Sequence, residues 1–212
     1  MEHVGMYVSV PVACFRVPRA REYFETFPCP PPSTVYGMLL SMVGEVNRCV
    51  HEGAEIAIGL ITKPAYSVVL RTLWRVKSNK YDLGLGENRR PDFQELLTDV
   101  GLAVWVRRGE TEAGVLSLAK RVSNALDNPS GISRFGGLSL GESTHLVDDV
   151  TRLNRVDKGQ LLLADDNGDL SLPVWPDHVG SKTTWGQYRL AYLDFKKDLP
   201  EAAWTAITRR LD

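Results

Sequence analysis

The chain has 212 residues, 43% of them hydrophobic and 24% charged, and a net charge of −1. That length suits one domain, or one domain with a small appendage, able to bury a core without staples. The charge excludes a globally basic nucleic-acid binder, so any such site must be a local patch.

No apolar run is long enough to cross a membrane. The start, MEHVGMYVSV, lacks the basic and apolar regions of a secretory signal. Cys14, Cys29 and Cys49 lie far apart and match no CxxC pattern, which fits free thiols in a reducing, cytoplasmic setting. No cluster of His, Cys, Asp or Glu has ligand spacing, so neither a metal nor a cofactor is expected.

Residues 5–15 alternate. Val8, Val10, Val12 and Cys14 share one face and Tyr7, Ser9, Ala13 and Phe15 the other, a strand in which Pro11 marks an edge or a bulge. A basic connection follows with Arg16, Arg19 and Arg21. Pro28, Pro30, Pro31 and Pro32 then delay any helix, because each lacks an N–H and has a fixed φ. Ser33 and Thr34 are the first residues able to cap one. Val35, Leu39, Met42, Val43 and Val46 recur at helical spacing, so a helix is expected from there to about Val50. Its first-turn N–H groups, with the Ser33 and Thr34 hydroxyls, form a phosphate seat or simply a start held for packing.

Residues 55–61 and 65–77 read as strand material broken at Lys63–Pro64. In the second, Leu70, Trp74 and Val76 share one face, and Val69, Arg71, Leu73, Arg75 and Lys77 the other. Those three cations form a line that could follow a phosphate backbone, or a solvated sheet face. Residues 78–92 are polar and glycine-rich, a long hairpin tip or mobile loop. From Lys63 to Arg90, which takes in Lys80 and Arg89, seven Lys or Arg stand against Asp82 and Glu87, a local +5 that favours an anionic partner. A strand at 100–108 and a helix from Thr111 to Leu126, lined by Val115, Leu118, Ala119, Val122 and Leu126, come next.

Residues 130–143, SGISRFGGLSLGES, bring Gly131, Gly136, Gly137 and Gly141 beside Arg134 and Phe135, a loop able to approach a ligand with a charge and a stacking face. No Gly-Lys-Ser/Thr follows, which excludes a nucleotide P-loop, and the spacing is not the dinucleotide fingerprint. After a strand in 144–156, QLLLA and LSLPVW flank an Asn167–Gly168 hairpin signal. A strand at 185–195 and a closing helix from Pro200 to Leu211 complete the chain.

The order to about residue 150 is strand, helix, strand, strand, helix, strand. That predicts an α+β fold of the ferredoxin-like, RNA-recognition type, βαββαβ. It would occupy residues 1–156, with a small C-terminal β-rich extension over 157–212. The aromatic motif of the standard RNA-recognition domain is absent, so bases would not stack across the open sheet.

PPPSTVYGMLLSMVGE at the first helix, with RFGGLSLGES after the second, resembles the Cas5 family, the fifth-subunit family of CRISPR-associated proteins, and most closely its short type I, Myxococcus-like and I-B-related variants. The resemblance implies a non-catalytic, cytoplasmic subunit of a Cascade effector complex in antiviral defence, capping the 5′ handle of the guide RNA. Its implied partners are that handle, the neighbouring backbone and large subunits, and target DNA through the assembled complex. It also implies a hairpin thumb, here about residues 77–93, inside the basic patch. With little core of its own, the thumb should be mobile until bound. Ser33, Thr34 and Tyr36 would lie near the handle, and Arg134, Phe135, Gly136 and Gly137 would touch RNA. Lys77, Lys80, Arg89 and Arg90 would grip phosphate or a neighbour; Arg71 and Arg75 come from the strand pattern alone.

One branch of that family cleaves the guide precursor, and the alternative here is a metal-independent endoribonuclease with His51 as base near Tyr36, or His145. Without the resemblance, a ferredoxin-like protein–protein module remains. Glu142, Asp148 and Asp149 read as solvated or capping acids.

Overall fold

The computed structural model describes residues 3–18, 23–154, 158–177, 182–195 and 198–209. In chain order these form β1 (His3–Ala13), β2 (Tyr23–Phe24), α1 (Pro32–Met42), β3 (Glu55–Leu60), β4 (Ala65–Trp74), β5 (Arg89–Arg107), α2 (Leu118–Asp127), β6 (Asp149–Arg152), β7 (Lys158–Ala164), β8 (Leu170–Trp175), β9 (Thr184–Asp194) and β10 (Thr205–Ala206). The strands make one sheet in the order β6-β1-β5-β3-β7-β9-β8, with β2 and β4 added to β5 and β10 to β3. Pairing is antiparallel except between β2 and β5. The fold is α+β, a mostly antiparallel sheet with two helices.

Alternation sets the layers. Val4, Met6, Val8 and Val10 of β1 join Leu102, Val104 and Val106 of β5 beneath α1 and α2, which contribute Val35, Leu39, Leu118 and Val122. The intervening residues Ala57, Ala103 and Trp105 face the other way. With Leu161 and Leu163 they form a second cluster under Phe195 and Trp204.

β1 keeps its expected faces to Val10. Beyond Pro11 the pattern slips, and Ala13, Cys14 and Phe15 are all buried. Pro11 lies past the last β1–β6 pair, Ser9 with Asp149, where a missing N–H costs no bond to β6.

α1 stops at Met42 instead of continuing to Val50, and Val46 is exposed rather than part of an apolar stripe. Gly44, at φ +68, turns the chain away so tightly that a Cβ there would meet Ser133 O at 2.3 Å. α2 begins at Leu118, not Thr111. The Ser117 side chain caps it by accepting from Lys120 N–H, and Val115 is fully exposed.

The strand expected at 100–108 is the second half of β5. Its first half pairs with β4 from Ala65–Thr98 to Trp74–Arg89, so a two-stranded hairpin leaves the sheet there. Asp99, at φ +59, marks the bend, and Thr62 Oγ1 donates to its carbonyl (2.6 Å).

Asn167–Gly168 does not close a hairpin between β7 and β8. Both strands run antiparallel to β9, and Tyr188 stands opposite Ala164 and Leu170 alike. The expected closing helix is a 3-10 turn, Glu201–Ala203, followed by β10 against β3; residues 210–212 fall outside the described set.

Candidate nucleic-acid interface

The proline run aims α1 but also strips its start of donors. Pro31 is the N-cap and Pro32 the first helical residue, and no side chain caps the helix. Thr34 and Val35 N–H both donate to Pro31 O, which leaves Ser33 the one early N–H not so used. Ser33 and Thr34 are half-buried helix residues rather than caps. Tyr36 points inward, and its hydroxyl donates to Arg48 O (2.6 Å). Burial, reinforced by the Glu112 carboxylate, raises its pKa.

What α1 and the turn after it present outward is a line of small residues. Thr34, Gly37, Ser41 and Gly44 follow one another at helical spacing. From Thr34 to Ser41 the helix rises roughly 10 Å. The glycine-rich loop crosses the far end of that line. A groove of about 520 Å³ opens between Gly37, Ser41, Gly44 and the neighbouring Leu40, Glu45 and Val46 on one side and Ser133, Arg134 and Phe135 on the other, with the Glu45 carboxylate held by Arg121. The Phe135 ring is fully exposed (100%). No hydrogen bond or ion pair among the described residues holds Arg134, which also borders a second groove of about 450 Å³ with Asp148 and Asp149. Gly136, at φ +73, makes the turn that lifts Phe135 outward, while Gly137 packs against Leu146.

The hairpin cations are distributed differently from the sequence pattern. Their face of β4 turns towards the body. Arg71 donates to Gln94 Oε1 and to Glu142 Oε2 (3.2 Å), and Gln94 Nε2 donates to Glu142 Oε1 (3.0 Å). Glu142 therefore ties the hairpin to the glycine-rich loop, a role that its place in a polar run did not reveal. Arg90 Nε donates to Asp92 Oδ1 (2.7 Å). Arg75 Nε donates to Glu87 O (3.1 Å), and Lys77 pairs with Glu87 at 3.6 Å. Lys80 and Arg89 are exposed. The tip is built around buried Asn88: its Oδ1 accepts from Lys77 and Ser78 N–H, and its Nδ2 donates to Ser78 O and Tyr81 O. Near the base, Arg16 lies 4.2 Å over the Phe24 ring. Arg19 and Arg21 fall outside the described residues.

Of the two histidines weighed as bases, His51 has both ring nitrogens engaged and His145 one. His51 is 1% exposed. Its Nε2 faces Arg121 Nη1 (2.9 Å), which can only donate, so Nε2 accepts and Nδ1–H donates to Glu112 Oε1 (2.8 Å). Glu112 Oε1 also accepts from Leu118 N–H, and Arg121 continues to Glu45 Oε2 (2.6 Å) and Val43 O. This chain of contacts pins the end of α1 to the start of α2. His145 Nδ1 accepts the Cys14 N–H (3.1 Å). Burial pushes the Cys29 thiol up to about 12 and raises that of Cys14 as well. Among the described residues, no group of three or more His, Cys, Asp or Glu could hold a metal ion, and no helix is long and apolar enough to cross a membrane.

A CRISPR-associated protein Cas5 of Myxococcus xanthus strain DK1622 is 44% identical to the chain over 201 residues, 93% of each protein. The chain belongs to the Cas5 family. No family model matches it. Among solved structures, a chain of a CRISPR RNA-guided surveillance complex superposes with a TM-score of 0.63 at 14% identity, covering 91% of this chain and 90% of that one. A Cas protein crystal structure gives 0.54 at 12% identity, over 91% and 95%. These two likenesses concern the fold of this Cas5 protein.

Proposed function

We propose that this Cas5 protein is a non-catalytic subunit of a type I Cascade-like effector complex. It caps the 5′ handle of the guide RNA and holds a neighbouring backbone subunit with its hairpin. Its core is read as ferredoxin-like: β1, α1, β3, β5, α2 and β6 follow the βαββαβ order, with β6-β1-β5-β3 side by side.

The observation that carries the proposal is the groove between the Gly37–Ser41–Gly44 face of α1 and the Arg134–Phe135 loop. A single-stranded handle needs a stacking face, a cation and a backbone that can come close. Fully exposed Phe135 offers the first, Arg134 the second, and the side-chain-poor helix face the third. A binding role is favoured over cleavage because His51 and Tyr36 are buried and spend their polar atoms on Glu112, Arg121 and Arg48.

The test is binding of purified protein to a 5′-labelled guide RNA, with and without its handle, in EDTA at two salt concentrations. A sequencing gel follows the RNA. Handle-dependent binding of intact RNA, weakened in Arg134→Ala, is expected. A discrete cut would replace the proposal with the endoribonuclease. Undiminished binding by Arg134→Ala would remove this groove as the site.

A further inference from the structure

The hairpin formed by β4 and the first half of β5 has its faces the opposite way round from a soluble hairpin. Its polar face, with Arg71, Asp92 and Gln94, packs on the body, and Asp92 and Gln94 are each 1% exposed. Its apolar face meets solvent. Leu70 is 63% exposed, Trp74 70%, and Phe93, opposite Leu70, 51%.

The same residues leave the backbone of β4 unpaired. Arg75 N–H donates to Asn88 O (3.0 Å). Counting back in twos along an antiparallel ladder, Leu73, Arg71, Val69 and Ser67 bond to β5. Thr72, Leu70, Val68 and Tyr66 therefore turn N–H and C=O to the far edge. Pro91 agrees with this parity: it has no N–H to give and stands opposite Thr72. Among the described strands, only β5 pairs with β4. The usual protections of an edge are missing too. β4 has no proline, and its single charge, Arg71, is turned inward to Glu142.

We propose that the free edge of β4 is a strand-addition site for an extended segment of a protein partner, apolar at alternate residues and carboxylate-bearing at its ends. An edge of alternating free N–H and C=O groups is matched only by another strand, and Tyr66, Val68 and Leu70 would line its apolar side. Charge selects the occupant. Exposed Lys63 stands before the edge, and Lys77, exposed and paired with Glu87, stands beyond it with exposed Arg89. A second copy laid antiparallel with Leu70 on Leu70 would set Lys63 against Lys77. Moved to centre on Val69, it would set Lys63 against Arg75. Both registers oppose like charges, which destabilises a strand pair. Carboxylates at the ends of a different strand would complement the same cations.

The inference specifies how the hairpin engages a protein neighbour, and so rests on that half of the proposed function. The probe is a capped decapeptide alternating valine and threonine with glutamate at each end, added at millimolar concentration to the full-length protein. Amide exchange is followed by NMR. Slowing of at least tenfold at Val68 and Leu70, with Val69 unchanged, is expected, and higher salt should weaken it. The peptide N-methylated along its bonding edge should have no effect. Leu70→Pro, which removes no bond to β5, should abolish peptide binding while handle RNA still binds.

Equal protection by the N-methylated peptide would overturn strand addition, as would none by either. Protection of the same amides on raising protein concentration, with dimerisation in sedimentation, would make a second copy the occupant. Protection by single-stranded RNA alone would make the face a stacking surface instead. Absence of handle-RNA binding by the parent protein, with the peptide still bound, would count against the RNA-capping reading and leave the strand site standing, whereas peptide binding by Leu70→Pro would overturn the strand site.

Discussion

Phe135 gives its whole ring to solvent, so nothing in the fold depends on it. Phe135→Ala should leave the urea midpoint unchanged and weaken handle RNA by the loss of one stacked base, about 1–3 kcal/mol or roughly 5- to 150-fold. Unchanged affinity would take the ring out of the site. His145 is the residue whose protonation the fold resists. Burial holds its imidazole below the ordinary range, with Glu142 opposing and Arg71 reinforcing. Nδ1 accepts from Cys14 N–H, so a proton there would break that bond. Above about pH 6.5 both folded and unfolded chains are neutral at this residue and its contribution is complete. As the pH falls below that, the unfolded chain takes the proton first, and stability is lost. Urea midpoints at pH 7.5 and 5.5 should fall less for His145→Gln than for the parent; equal falls would clear His145 of the effect.

At the scale of elements, α1 is held by what bounds it. Gly44 lets the chain leave α1 in a left-handed conformation and lets Ser133 O approach. Gly44→Ala should cost about 1–2 kcal/mol from φ alone and disturb the groove beside Phe135. Denaturation and RNA affinity should therefore both change, and a loss of neither would contradict the packing described. The start of α1 was legible because Pro28, Pro30 and Pro31 forbid a helix before it and Pro32 suits a first helical position. Its end was not, since Val46 fits the apolar spacing and only the Ser133 approach shows why the chain must turn. The start of α2 was misplaced for a similar reason. Val115 extends the apolar spacing of α2 backwards, but the chain before Leu118 is held by Glu112, which meets His51 and Leu118 N–H. In β4 the alternation was read correctly and its sense was not. Cations normally face water, and the partners that reverse this, Glu142 and Gln94, lie far away in sequence.

Across the whole molecule, the sequence of main strands and helices in the first 150 residues was readable because these elements carry their own period, although several of their ends were not. The C-terminal strap was not. EAAWTAITR, residues 201–209, has the alanine of a helix, yet it spans the sheet edge that β3 leaves open at Glu55 and Ile56. Three contacts fasten it: Ile207, fully buried and bonded through its backbone to Gly53 and Ala54; Arg107, which pairs with Glu201 and lies 4.4 Å over the Trp204 ring; and Arg209 with Glu52 at 2.8 Å. These contacts are not equal in weight. Glu201 is mostly exposed, and Arg107 keeps Glu55 when Glu201 is removed. Glu201→Ala should therefore leave stability nearly unchanged, as the loss of an exposed surface ion pair usually does. Ile207→Ala empties a filled site in the core and should cost about 2–5 kcal/mol. Urea denaturation of the two variants decides between them. If the strap is held by apolar burial, Ile207→Ala falls well below Glu201→Ala; matched losses would mean that the ion pairs hold it.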